Sequence, residues 1–220
     1  VLINPNNPTG EQFSPEQLLR WHGNLSSRGG WLVVDEAFMD ATPENSVIGH
    51  TSRPGLIVLR SLGKFFGLAG ARVGFVAAEA DILHALQRPL GPWTVAGPAR
   101  WVAKAALQDT HWQTATRAQL PAAGQRLHQL LTIAGLPPSG GCSLFQWVTT
   151  PQAEKIHSEL AQQGLLTRYF NHPSSLRFGL PASETDWQRL ERALTATRPT
   201  QAQPSQLRPT LAKDAAVMSI

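Results

Sequence analysis

Apolar residues follow two rhythms along this chain, and the change of rhythm divides it. Early on they gather in short unbroken runs: Trp31-Leu32-Val33-Val34, Leu56-Ile57-Val58-Leu59 and Val73-Gly74-Phe75-Val76-Ala77. Runs of that length, closed by turn residues, predict strands buried on both faces, as in a parallel sheet. Val1-Leu2-Ile3 reads as the end of another strand. Ser14-Pro15-Glu16-Gln17 predicts a helix start, with Ser as the cap, Pro at the first position and Gln three residues after the cap. Leu18, Leu19 and Trp21 supply that helix with an apolar face. Strand, helix, strand, loop, strand is an α/β order.

Pro89, Gly91, Pro92, Gly97 and Pro98 then mark a boundary. Beyond it the pattern predicts helices over 99–107 and 112–134, the second broken or kinked at Pro121. One strand is expected over 142–148, and a helix over 151–163 that stops at Gly164. Strands follow at 165–170 and 175–178. A last helix starts at Ser183, with Trp187, Leu190 and Leu194 on one face. This mixture predicts a smaller α+β domain. The expected division is 1–95, 96–197 and a disordered Pro/Gln/Thr/Ser-rich tail over 198–220. A sheet opened by only three residues raises the expectation that an N-terminal portion is missing.

Composition narrows the function classes. At 42% hydrophobic the 220 residues can bury a core, and 15% charged is too few for a disordered chain. The net charge of +4 comes from scattered residues with no basic block, so no nucleic acid is expected as partner. Cys142 is the single cysteine, which excludes an intrachain disulfide and fits a reducing, cytoplasmic setting. No apolar run has the length of a membrane span and no signal peptide opens the chain, so no membrane partner is expected. The seven histidines form no helical pair of the HxxxH kind, so no metal is expected.

The chemistry concentrates at the ends of the apolar runs, where α/β sheets bind ligands. Lys64 follows a strand directly and opens a glycine-rich, aromatic segment, a setting that suits carbonyl attack. Ser61 and Arg72 flank it with groups suited to phosphate oxygens. Asp35 closes the preceding run. A lysine for an aldehyde and a carboxylate for a ring nitrogen are the two groups that pyridoxal phosphate chemistry needs. Asn7 stands in a loop over 4–10 made rigid by two prolines and a glycine. Arg177 sits inside an apolar strand and needs an anionic partner, from the protein or from a substrate. Arg168 raises the same question.

Taken together, Asn4-Pro5-Asn6-Asn7-Pro8-Thr9-Gly10, Asp35-Glu36-Ala37, Ser61-Leu62-Gly63-Lys64 and Gly70-Ala71-Arg72-Val73-Gly74 resemble the class I/II aminotransferases. The resemblance runs from residue 1 to about 197. It implies the α/β PLP-dependent transferase fold type I: the mostly parallel sheet of a large domain, incomplete at its N-terminus, followed by a small α+β domain. It also implies pyridoxal 5'-phosphate as cofactor, Lys64 as its catalytic lysine and Asp35 as the ring-nitrogen partner. Asn7 is implied at the ring oxygen, Ser61 and Arg72 at the phosphate, and Arg177, with Arg168, at the anionic groups of the substrate. A homodimer is expected from the family.

Within the family the chain looks closest to the histidinol-phosphate aminotransferase-like branch, and there to the threonine-phosphate decarboxylases of cobalamin biosynthesis. Phe38 stands where many members carry tyrosine, and Gly63 where serine is common. The implied reaction is decarboxylation of O-phospho-L-threonine to 1-amino-2-propanol phosphate. The alternatives are an aminotransferase acting on another amino acid, a cofactor-binding sensor domain and an inactive remnant. A glycine-rich phosphate loop and a ring-stacking aromatic residue, which members carry upstream of the asparagine loop, have no counterpart in these residues.

Overall fold

The computed structural model describes residues 1–197. Its first sheet has the order β1 (Leu2–Ile3), β2 (Leu32–Asp35), β3 (Leu56–Ser61) and β4 (Gly74–Ala77). The first three strands are parallel, and β4 returns antiparallel along β3. Leu32, Val34, Leu56 and Val58 are buried together with Leu18 of α1 (Pro15–Ser26) and Val47. The α1 start carries the predicted capping box, Ser14 and Gln17 each satisfying the other's backbone N–H.

The second sheet has the order β5 (Gly140–Cys142), β6 (Phe145–Thr149), β8 (Ser175–Gly179), β7 (Arg168–Phe170), and every pairing is antiparallel. Three helices cover one face: α4 (Thr110–Ile133), α5 (Ala153–Gln162) and α6 (Glu184–Ala196). Leu127, Leu131, Ile156, Leu160, Leu176 and Leu194 are at most 1% exposed there. Full burial of one such side chain contributes about 1.5–3 kcal/mol. A smaller cluster of Leu62, Phe65, Phe66, Val73 and Ala103 joins the loop after β3 to α3 (Gly97–Gln108).

Several expectations need correction. The run over 142–148 is two strands, because Ser143 and Leu144 form the turn of a hairpin that the apolar run conceals. The break considered at Pro121 does not occur: helix α4 runs through it, since packing holds it on both sides, Leu120 against the Phe65 cluster and Leu127 and Leu131 in the second core. An unanticipated helix, α2 (Ala80–Leu90), precedes the boundary and tolerates Pro89 in its last turn. The strand expected over 165–170 is reduced to its last three residues. The expected tail over 198–220 lies outside the described residues.

Candidate functional site

Parallel strands β2 and β3 deliver their ends side by side, with Asp35 in register with Leu59. The loop after β1 starts beside them, because the Asn4 N–H donates to the Asp35 carbonyl at 2.9 Å. Asp35 is half-buried, and its Oδ1 accepts from the Ala37 N–H at 2.9 Å. That bond turns the chain sharply after β2 and leaves the second carboxylate oxygen for another partner.

The loop after β3 forms a hollow of about 250 Å³ lined by Ser61, Gly63, Lys64, Leu68, Ala69, Arg72, Val73 and Gly74. The structure thus gathers three of the predicted residues, Ser61, Lys64 and Arg72, around one space. Ser61 Oγ accepts from the Gly63 N–H at 3.1 Å. A Cβ at Gly63 would come within 3.3 Å of both Ser61 Oγ and Ala69 Cα, so the missing side chain keeps the hollow open. Arg72 adopts a left-handed backbone, φ 54°, and its guanidinium donates to the Ala69 carbonyl at 3.0 Å. It has no carboxylate partner among the described residues. A hydroxyl, free guanidinium N–H groups and an ammonium around a small polar hollow fit a phosphate-bearing aldehyde. Lys64 itself is exposed, because the hollow is open on its side.

An aromatic path links Lys64 to the second sheet. Its Nζ lies 5.4 Å from the Phe38 ring centre, and Phe38 meets Phe145 of β6 edge to face at 5.2 Å. The Arg177 guanidinium lies 5.2 Å from the centre of the same Phe145 ring. Arg177 also donates through Nη1 to Asn7 Oδ1. Asn7 therefore meets Arg177 through its oxygen, and its amide N–H groups remain available to a ligand. Burial, reinforced by the like charge of Arg168, pulls the Arg177 pKa below its ordinary value, and nearby Cys142 opposes this.

Arg168 and Arg177 are directly opposed in the β7–β8 pair. Like charges in that register repel. Neither arginine has a carboxylate partner among the described residues. Two guanidiniums that share a face without an anion make a receptor for a doubly anionic molecule.

The loop carrying Asn7 is held by close backbone packing. A Cβ on Gly10 would collide with the Gly141 backbone, and one on Gly140 with the Thr9 carbonyl. Only glycines let the first loop and β5 approach so closely. A larger cavity of about 530 Å³ lies behind β5, lined in part by Pro121, His128, Cys142 and Gln146. It contains none of the predicted residues, so the smaller hollow at Lys64 is the better candidate. Burial pushes the Cys142 thiol above its ordinary pKa, which makes it a weak nucleophile.

Sequence reasoning missed the charges behind this site. Glu36, fully buried, accepts from Ser46 Oγ at 2.5 Å and from the Val47 N–H at 2.9 Å, and lies 3.1 Å from Arg60 Nε. Arg60 Nη1 reaches Asp40 at 2.6 Å. Burial is the first cause that raises the pKa of both carboxyls, and Arg60 works against it. Glu36 and Arg60 sit next to Asp35 and Ser61 in sequence, which was the available signal.

Comparisons with known proteins follow the same lines. The family model described as aminotransferase class I and II matches residues 1–196. The chain is 56% identical over 194 residues to a threonine-phosphate decarboxylase of Pseudomonas aeruginosa, covering 88% of this chain and 59% of that protein. It is 43% identical over 196 residues to a threonine-phosphate decarboxylase of Sinorhizobium sp., covering 88% of this chain and 58% of the relative. The chain therefore spans just under three fifths of the length of these curated relatives. Among solved structures, the histidinol-phosphate aminotransferase of Clostridium acetobutylicum superposes with a TM-score of 0.82 at 21% identity, over 90% of this chain and 63% of that one. At that identity the likeness speaks for the fold alone.

Proposed function

Because this chain belongs to the class I and II aminotransferase family, we propose that it carries the cofactor-binding part of a pyridoxal phosphate-dependent enzyme that decarboxylates O-phospho-L-threonine. Its fold is the type I fold of that family. The product is 1-amino-2-propanol phosphate, as used in cobalamin biosynthesis. The observation that carries the substrate choice is the opposed pair Arg168 and Arg177, which meets no carboxylate among the described residues. O-phospho-L-threonine brings two anionic groups to them. The likeness to two threonine-phosphate decarboxylases supports the same choice.

Each residue then has a physical task. Lys64 engages the aldehyde, Asp35 holds a proton on the ring nitrogen, and Asn7 donates an amide N–H to the ring oxygen. Ser61 and Arg72 hold the cofactor phosphate. Bound pyridoxal phosphate supplies an electron sink for the bond broken at Cα. Arg168 and Arg177 orient the substrate so that the bond to its carboxylate is the one that breaks. Carbon dioxide leaves, and the Lys64 ammonium returns a proton to Cα. Phe38 offers no hydroxyl beside Lys64, so the amine meets a π face and no competing hydrogen bond.

Transamination on the same residues is the alternative, supported by 34% identity over 180 residues to a histidinol-phosphate aminotransferase of Roseiflexus castenholzii. Carbon dioxide and the phosphorylated amino alcohol, measured after incubation with O-phospho-L-threonine and cofactor, test the choice. A keto acid formed without carbon dioxide sinks the decarboxylase reading.

A homodimer in the cytoplasm completes this reading. Exposed Trp93, at 91%, and Trp101, at 74%, favour a covering subunit, and the single cysteine favours a reducing compartment. Among the described residues no helix is long and apolar enough to cross a membrane. We also propose the division into 1–95 and 96–197, which the two separate sheets support. Helix α3 packs back on the first unit through Ala103 and so bridges the two.

A further inference from the structure

Helix α4 reaches both halves of the molecule. At 24 residues it is about 36 Å long. Its later turns bury Leu127 and Leu131 in the second core, and Gly124 packs on the hairpin turn at Ser143, where a Cβ would come within 3.2 Å of Ser143 Cα. Its first turns clasp the two residues after Lys64. Trp112 meets Phe65 edge to face at 5.3 Å and stacks on Phe66 at 5.8 Å. Arg117 then does two things at once. Its guanidinium lies 5.1 Å from the Phe65 ring centre, and its Nε donates to the Asp40 carbonyl at 2.8 Å. Asp40 is already tied to β3, because its carboxylate takes Arg60 Nη1 at 2.6 Å. Gln113 supports Arg117 from one turn earlier, accepting from Nη2 at 3.3 Å.

We propose that Arg117 is a positioning residue for Lys64: through Asp40 and Phe65 it ties the loops that follow β2 and β3 to α4, the helix that carries the second sheet. The role of Lys64 rests on the function proposed above, whereas the tie itself does not. Without Arg117, Asp40 keeps its bond to Arg60, but the loop after β2 loses its hydrogen bond to the helix and the loop after β3 is left with the Trp112 and Leu120 contacts alone. The π face of Phe65 then has no cation, and Lys64 gains freedom to leave the hollow it shares with Ser61 and Arg72.

The test compares Arg117→Met and Arg117→Lys with the unmodified chain by two readouts. The first is amide hydrogen exchange without cofactor, which reports local opening. In Arg117→Met, exchange over 37–41 and 64–68 should rise about tenfold, the worth of one hydrogen bond from a charged donor, while β6 and β8 stay unchanged. Arg117→Lys, which keeps a cation for Phe65, should recover part of the protection over 64–68. The second readout is the pyridoxal phosphate concentration that half-saturates Lys64, trapped by borohydride. It should rise about tenfold in Arg117→Met.

Unchanged exchange over 64–68, or an equal rise across both sheets, overturns the proposal. If Arg117→Met does not fold, Arg117→Gln removes the guanidinium from Phe65 and the Nε bond to Asp40 while keeping a polar side chain, and unchanged exchange over 64–68 there overturns it as well. If the unmodified chain takes no cofactor on Lys64, the functional reading fails and the exchange data still decide the tie.

Discussion

The two sheets treat charge in opposite ways. Behind the ends of β2 and β3, Glu36, Asp40 and Arg60 form a closed, largely buried network with Ser46 and the Val47 N–H. On the second sheet, Arg168 and Arg177 face each other across a strand pair with only Asn7 as a side-chain hydrogen-bond partner among the described residues. The first arrangement pairs its charges within the chain and fixes strand ends, although Arg60 Nε meets Glu36 as an ion-pair contact without a hydrogen bond. The second stores repulsion that an anion would relieve. Buried charges paired with one another read as architecture, and an arginine pair without a counter-charge reads as a binding surface.

Arg60 holds both carboxylates of the closed network. Arg60→Ala leaves Glu36 and Asp40 buried without their shared cation. Urea melts should show a loss of about 3–5 kcal/mol, the usual cost of stripping one partner from a buried pair. A loss below 1 kcal/mol would mean that the network is already relaxed by water.

Leu176→Ala should cost about 2–5 kcal/mol, because Leu176 is fully buried in the second core. Here the source is packing alone, so the loss should not depend on salt or on pH. A salt-dependent loss would contradict an apolar origin.

Glu36→Gln separates the charge from the shape. Burial raises the Glu36 carboxyl above its ordinary value. A raised carboxyl favours the fold while protonated, so its contribution is full below the ordinary carboxylate range and falls away as pH rises through the raised value. The unmodified chain should therefore lose more stability than Glu36→Gln as pH rises above the ordinary carboxylate range. Parallel stability curves for the two chains would refute the assignment.

Arg168→Gln should have the smallest effect on stability, a change of no more than a few tenths of a kcal/mol, and in the stabilising direction if the repulsion is felt. Binding should respond far more. Affinity for O-phospho-L-threonine should drop by about tenfold or more with the loss of a charged hydrogen bond. Equal affinity in both chains would remove Arg168 from the site.

How much of this the sequence carried depends on distance along the chain. The asparagine loop, the Ser14 cap and the apolar runs of β2 and β3 are local patterns, and the structure follows them. Ser61, Lys64 and Arg72 lie within twelve residues, so one loop can bring them together. The Glu36–Arg60–Asp40–Arg117 connection was not legible, because its members are brought together only by strand pairing and by the path of α4. Pro121 misled for a related reason: local propensity says break, whereas packing on both sides holds the helix. The hairpin at Ser143 was hidden because its turn lacks the usual glycine or asparagine at its centre.

The most direct test is chemical. The chain is mixed with pyridoxal phosphate, reduced with borohydride and mapped by peptide mass spectrometry. One stoichiometric adduct, on Lys64, is expected. Absence of an adduct, or adducts spread over exposed lysines such as Lys104 and Lys155, would contradict a cofactor site built around Lys64 in this chain.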